Sequence, residues 1–249
     1  FFLVNNEKMS ASVGNVYIVQ DLMEIVEPEV FLFFYTKRPE MQRNLDLSRI
    51  WQMVDEFDST EKIYFGQIEA RSENREENSK RMYELTMKKI SGKCPNRISY
   101  SFASSLAQVM PIEKALNRLQ ELGHLDKDNS EDVASARLRL SLALTWAEKY
   151  APQEARVSLV KDNSFFEKLS ENEKNALQSF AEFYLKNYGN ADLQSAELKK
   201  LAESNSISVQ QFFKAAYLSL IAREKGPKLV PFINAIEANE VVKRLCGRL

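Results

Sequence analysis

Five residues near the start of the chain are of types that can together hold a polyanion: Lys8, Ser10, Ser12, Gly14 and Asn15. Lys8 offers an ammonium group. Ser10 and Ser12 offer hydroxyls and, being small, let the backbone come close to a bound group. Gly14 supplies a turn that a Cβ would strain. The Asn15 amide can hydrogen-bond within that turn and pin the base of the loop. Such a loop can follow negative charge onto a departing phosphate group and stabilise it in the transition state. The pattern K-M-S-x-S-x-G-N, running from Lys8 through Met9 to Asn15, fixes six positions at once, which disfavours a chance match.

The rest of the chain must position that loop. It has 249 residues, 44% hydrophobic and 28% charged, enough for one or two domains with a real core. Only 7 Gly and 7 Pro occur, too few for the turns of an all-β or α/β plan. Helix-favouring Leu, Ala, Glu, Lys and Gln are abundant, so a mainly α fold is expected. The net charge of −1 gives no global nucleic-acid signal, so any RNA contact needs a local basic surface. Cys94 and Cys246 lie far apart without C-x-x-C spacing and read as reduced thiols, with no zinc site. No run of 18 apolar residues and no signal-peptide pattern is present.

Residues 1–4 read as the end of a strand and 5–15 as a loop. Asp21 opens a helical stretch, Pro28 opens a second helix that Pro39 stops, and a longer one runs from about Leu47 to Gly66. The charge-dense stretch 67–80 reads as a linker. Amphipathic helices are expected at about 79–90, 99–109, 111–122, 131–150, 152–160, 171–188, 191–203, 208–224, 228–238 and 239–248. Ser170-x-x-Glu173 and Ser208-x-x-Gln211 are capping boxes, and Gly189 is placed as a C′ residue. The resulting division is 1–66, a linker at 67–80, and a helical body at 81–249.

The loop pattern resembles the K-M-S-K-S signature of class I aminoacyl-tRNA synthetases, with Ala11 in place of the second lysine. The residues after it narrow the resemblance. Val26-Glu27-Pro28-Glu29-Val30 is similar to the V-A-E-P-E-V segment of class I lysyl-tRNA synthetases, the archaeal and spirochaete type. Leu45-Asp46-Leu47, Val54-Asp55-Glu56-Phe57-Asp58 and Glu61-Lys62-Ile63-Tyr64-Phe65-Gly66 resemble that family's D-x-D-L, V-D-E-Y-D and E-x-x-Y-F-G run. Arg223-Glu224-Lys225-Gly226-Pro227-Lys228 looks like its G-K-E-x-G-P-R tail.

The resemblance implies a C-terminal piece of such an enzyme: the end of a Rossmann-type catalytic domain and a stem-contact fold, then an α-helix cage that binds the anticodon. It implies ATP as substrate, held by Lys8, Met9, Ser10, Ser12, Gly14 and Asn15, with Mg2+ in the full enzyme. Lys8 would be catalytic. The implied partners are tRNA-Lys and, in the full enzyme, lysine, at a cytoplasmic location and without a membrane. For tRNA contact, the helix bearing Lys214 matches one that contacts the anticodon in the related glutamyl cage, while Arg223, Lys225 and Lys228 flank a Gly-Pro turn into a helix start. The family's H-I-G-H element cannot be present, because the single histidine is His124. The chain by itself is therefore expected to bind no ATP cofactor tightly and to form no adenylate. Two alternatives stand beside this reading: a helical protein-interaction module, and the C-terminal region of a glutamyl-type synthetase, whose K-L-S-K-R loop Met9 and Ser12 do not match.

Overall fold

The computed structural model describes residues 2–12, 14–37 and 40–249. Val13 of the loop, and Pro39 with its expected helix stop, lie outside the described residues. In chain order the first elements are β1 (Phe2–Val4), β2 (Glu7–Lys8), α1 (Val19–Met23), α2 (Pro28–Thr36), β3 (Arg43–Leu45), α3 (Ile50–Tyr64) and α4 (Glu73–Thr86). There follow α5 (Tyr100–Val109), α6 (Ile112–Glu121), α7 (Ser130–Lys149), α8 (Ser164–Glu167) and α9 (Glu171–Lys186). The last are α10 (Ala191–Ser204), α11 (Val209–Ile221), α12 (Leu229–Ala235) and α13 (Ala238–Leu245). The fold is mainly α, with one small sheet ordered β2-β1-β3. Two compact units result: Phe1–Ala107 with His124–Arg156, and Gln108–Gly123 with Val157–Leu249.

These units cut the chain differently from the sequence-based division. Residues 81–107 and 124–156 fold with the N-terminal elements. The expected linker is largely helical, because α4 begins at Glu73. The Ser72 hydroxyl accepts from the Arg75 N–H at 3.4 Å, and Glu73 and Glu76 sit in the first turn, where a helix favours acids. Lys80 pairs with Glu76 one turn away at 2.6 Å. This exposed start then carries Tyr83 into the core, where its ring lies 6.0 Å from Phe57, 4.7 Å from Tyr64 and 5.9 Å from Phe65. The helix expected at 152–160 is only a single turn, Gln153–Ala155.

In the first unit, the buried face of α3 is Ile50, Met53, Val54, Phe57 and Ile63. Each such side chain taken from water contributes roughly 1.5–3 kcal/mol. The same helix also buries charge. Asp58 receives two hydrogen bonds from Arg139 of α7, at 2.6 and 2.9 Å. Arg139 further donates to Glu27 Oε1 at 2.6 Å and to the Ile98 carbonyl at 2.8 Å. Arg139 and Glu27 are each only 1% exposed. Burial opposes the charge on Arg139, but Glu27 and Asp58 outweigh it and hold the guanidinium protonated above its usual range. Burial pushes the Asp58 carboxyl up, against the pull of Arg139. Glu61 accepts from Arg97 Nε at 2.6 Å and from the Tyr83 hydroxyl at 2.8 Å. Glu27, Asp58 and Glu61 come from the segments that carry the lysyl resemblance, and here each ties elements together.

In the second unit, Ala176, Leu177, Phe180, Ala181 and Tyr184 form the buried stripe of α9. Both capping boxes are present, at Ser170 and Ser208. Gly189 takes φ +81°, two residues past the Asn187 cap of α9. Asn234 and Gln194 exchange hydrogen bonds of 2.6 and 3.1 Å beneath α10 and α12. Gly247, at φ +61°, lies against the Phe166 ring; a Cβ there would sit 2.3 Å from Cδ1.

Candidate functional site

The loop is built outward from the sheet. Val4, Leu45 and Leu47 are buried, and the Trp146 indole donates to the Leu47 carbonyl at 2.7 Å, which fixes the end of β3. β3 runs parallel to β1 with Leu3 opposite Asn44. β1 turns back into β2 through Asn5 and Asn6, at φ 50° and 68°. A two-residue turn with both central residues left-handed matches strand twist, and asparagine tolerates that conformation. The turn is tied to β3 by Asn5 N to the Leu45 carbonyl at 3.0 Å, and by Asn6 N to Asn44 Oδ1 at 2.7 Å. Glu7 and Lys8, expected in a loop, are therefore the second arm of a hairpin, with Lys8 opposite Leu3.

Beyond Lys8 the chain closes on itself. Asn15 Nδ2 donates to the Lys8 carbonyl at 3.1 Å, and Asn15 Oδ1 accepts from the Ser10 N–H at 2.7 Å. One side chain thus clamps both ends of the loop. Inside the clamp the Gly14 N–H donates to the Ala11 carbonyl at 3.2 Å, and Gly14 takes φ +73°. The hydroxyls of Ser10 and Ser12 are 2.8 Å apart. Lys8, Ala11, Ser12 and Gly14 are exposed, and Met9 and Ser10 half-buried. The structure thus carries Lys8, the paired Ser10 and Ser12 hydroxyls and the Gly14 turn on one loop tied by Asn15. Next, α1 begins at Val19, two residues before the expected start, because Asp21 accepts from the Ile18 N–H at 2.9 Å and closes its first turn.

The second set of candidates lies in the C-terminal unit. Lys214 is on α11, and its ammonium pairs with Glu224 at 2.6 Å, so its charge is already matched. Ala222 ends α11 in the left-handed conformation. Gly226 then packs against Tyr217 and Ile221, where a Cβ would come within 2.8 Å of both side chains. The Tyr217 hydroxyl donates to the Pro227 carbonyl, and burial pushes that hydroxyl's pKa up to about 12. Lys225 and Lys228 are exposed and Arg223 half-exposed on this turn. Lys228 flanks α12, which is only 7 residues long. His124 is exposed, its ring 6.3 Å from Phe102 and its carbonyl accepting from Asn96 at 2.7 Å.

A family model for class I tRNA synthetases of the K type matches residues 1–89, the stretch that holds the hairpin, the clamped loop and the first helices. Curated relatives match nearly the whole chain. The chain is 33% identical to a lysine–tRNA ligase of Thermococcus kodakarensis over 244 residues, 96% of this chain and 46% of that protein. It is 34% identical to one of Pyrococcus horikoshii over 245 residues, with the same shares. To that of Borreliella burgdorferi it is 33% identical over 238 residues, 92% of this chain and 44% of the relative. The chain is thus similar over nearly its whole length to lysine–tRNA ligases and over residues 1–89 to class I tRNA synthetases, and it spans a little under half the length of these relatives.

Proposed function

We propose that the chain contributes to the ATP-dependent attachment of lysine to tRNA-Lys by supplying the phosphate-holding loop and a tRNA-binding surface. The observation that carries this is the Asn15-clamped loop presenting Lys8, in a chain similar along its length to lysine–tRNA ligases. When lysine is activated, its carboxylate attacks the α-phosphate of ATP and pyrophosphate leaves. Lys8 and the exposed loop donors would meet the negative charge that gathers on the leaving group, which electrostatic preorganisation rewards most. With alanine at position 11, Lys8 carries that task without a second lysine. The loop's donors suit phosphate oxygens and offer no cation site, so Mg2+ would arrive with the nucleotide.

The N-terminal elements would face the inner side of the tRNA as a stem-contact region. The helices beyond would form the anticodon-binding cage, with Lys214, Arg223, Lys225 and Lys228 as contacts. Lys214 would have to leave Glu224 to reach RNA. Uridine-rich anticodons are read by stacking and by hydrogen bonds to splayed base edges. The location would be cytoplasmic; no described helix is long and apolar enough to cross a membrane.

Two measurements test this. Transcripts differing only in the anticodon should bind this chain unequally at fixed moderate salt, with the lysine anticodon preferred. Equal binding with equal salt slopes would remove anticodon reading and favour a protein-interaction role. Separately, the chain alone should give no lysine-dependent pyrophosphate exchange, and measurable exchange would overturn the expectation that the chain by itself forms no adenylate.

A further inference from the structure

Residues 87–99 join α4 to α5 without helix or strand. Connections longer than about 12 residues are uncommon in compact units and, when ordered, are usually functional. This one is held at both ends. The Met87 N–H donates to the Tyr83 carbonyl at 3.0 Å. Asn96 N donates to Asp132 at 3.3 Å, Arg97 grips Glu61, and the Ile98 carbonyl accepts from Arg139. Ser91 folds its hydroxyl onto the Lys93 carbonyl.

Between those anchors the segment is purely basic. Lys88, Lys89 and Lys93 are exposed, and no Asp or Glu occurs from Leu85 to Ser99. Among the described residues none of the three lysines forms an ion pair, whereas Lys37, Lys80 and Lys214 are each matched by a glutamate. Lys88 and Lys89 follow the C-terminal end of α4, where a helix favours cations. Lys93 is too far along the segment for that to account for it. Lys93 lies five positions after Lys88, at most roughly 18 Å of chain, which spans several phosphates of one nucleic-acid strand.

We propose that Lys88, Lys89 and Lys93 bind the phosphate backbone of tRNA, a contact that rests on the tRNA-binding reading above and belongs to a different unit from Lys214, Arg223, Lys225 and Lys228. Phosphate contacts position the RNA without reading sequence. Removing them should weaken every transcript alike and flatten the salt dependence.

The test is tRNA binding by the intact chain between 50 and 200 mM salt. The subject is Lys88→Gln/Lys89→Gln/Lys93→Gln, and the control is Lys127→Gln/Lys161→Gln/Lys199→Gln, which removes the same charge from other exposed lysines. Three lost phosphate contacts should lower the log–log salt slope by about 2 to 3. Over that fourfold rise in salt the wild type would then weaken about 16- to 60-fold more than the variant. The control should keep the wild-type slope. An unchanged slope in the 88/89/93 variant, or an equal fall in the control, overturns the proposal while tRNA binding itself stands. No tRNA binding by the wild type overturns both readings. A circular dichroism spectrum matching wild type separates lost contact from lost fold.

Discussion

Replacing Arg139 by Met tests whether the buried ion cluster holds the first unit together. Methionine keeps most of the stem volume, so the change removes charge rather than opening a large cavity. What remains is Glu27 and Asp58, both shielded from water, without the guanidinium that met them at 2.6 Å. At an effective dielectric of about 20, a unit pair 4 Å apart is worth about 4 kcal/mol. Breaking a buried pair from one side costs about 3–5 kcal/mol. That is a large share of the roughly 5–15 kcal/mol a domain has. Both tryptophans, Trp51 and Trp146, lie in the first unit, so their fluorescence in a urea titration reports this unit. Arg139→Met should lower its stability by about 3–5 kcal/mol. The triple variant Glu27→Gln/Asp58→Asn/Arg139→Met should recover most of that loss, because no uncompensated charge remains. The sign with pH follows. Burial already raises the Asp58 carboxyl, and without the opposing pull of Arg139 it rises further above its unfolded value, so the folded state binds more protons. The deficit of the single variant should therefore shrink as pH falls from 8 to 5. A loss below about 1 kcal/mol, a triple variant no better than the single, or a deficit that grows on acidification would refute the reasoning.

Asn15→Ala removes both clamp bonds from an exposed loop, so stability should fall by no more than about 1–2 kcal/mol while amide exchange at Ser10 speeds up markedly. Unchanged exchange would mean the loop is held by something else. Two glycine replacements should separate strain from collision. Gly14→Ala meets open space and should cost only about 1–2 kcal/mol of left-handed strain, whereas Gly247→Ala drives a Cβ into Phe166 and should cost more than 3 kcal/mol by thermal melting. In the second unit, Tyr217 stays protonated to about pH 12 when folded but only to about 10 when unfolded. Stability should fall as pH rises from 10 to 12, by up to about 2–3 kcal/mol, and Tyr217→Phe should show less of that fall by circular dichroism.

Much of this was legible in the sequence where local chemistry decides. The capping boxes at Ser170 and Ser208, the start of α2 at Pro28 and the turn at Gly14 are settled by neighbours within a few residues. β3 was not legible, because Arg43-Asn44-Leu45 buries only Leu45 and its strand state comes from β1, about forty residues away. The 67–80 stretch was read as a linker from its dense charge, although Ser72, the first-turn acids and the Glu76–Lys80 pair are helix signals in their own right. Arg139 gave no warning at all. An arginine between leucines on a long helix looks like a surface charge until Glu27 and Asp58, 112 and 81 residues away, are seen to meet it. Within the candidate site, the part played by Asn15 could be anticipated, but the Asn5-Asn6 hairpin that delivers Lys8 could not.

The hairpin and the sheet it joins form on different clocks. β1 and β2 are linked by two residues, and such hairpins close in about 1–10 µs. The clamp across Lys8 to Asn15 is equally local and can form with it. Pairing β1 to β3 must wait until the chain through α1 and α2 has condensed, and the entropy of closing that longer loop has to be met before any strand bond repays it. A damaged α2, or a Glu27 site that folds slowly, would thus leave the loop correctly made but unaligned. In refolding, Ser10 amide protection should appear early and Asn6 amide protection late, with the lag between them timing the moment at which Lys8 acquires a fixed position.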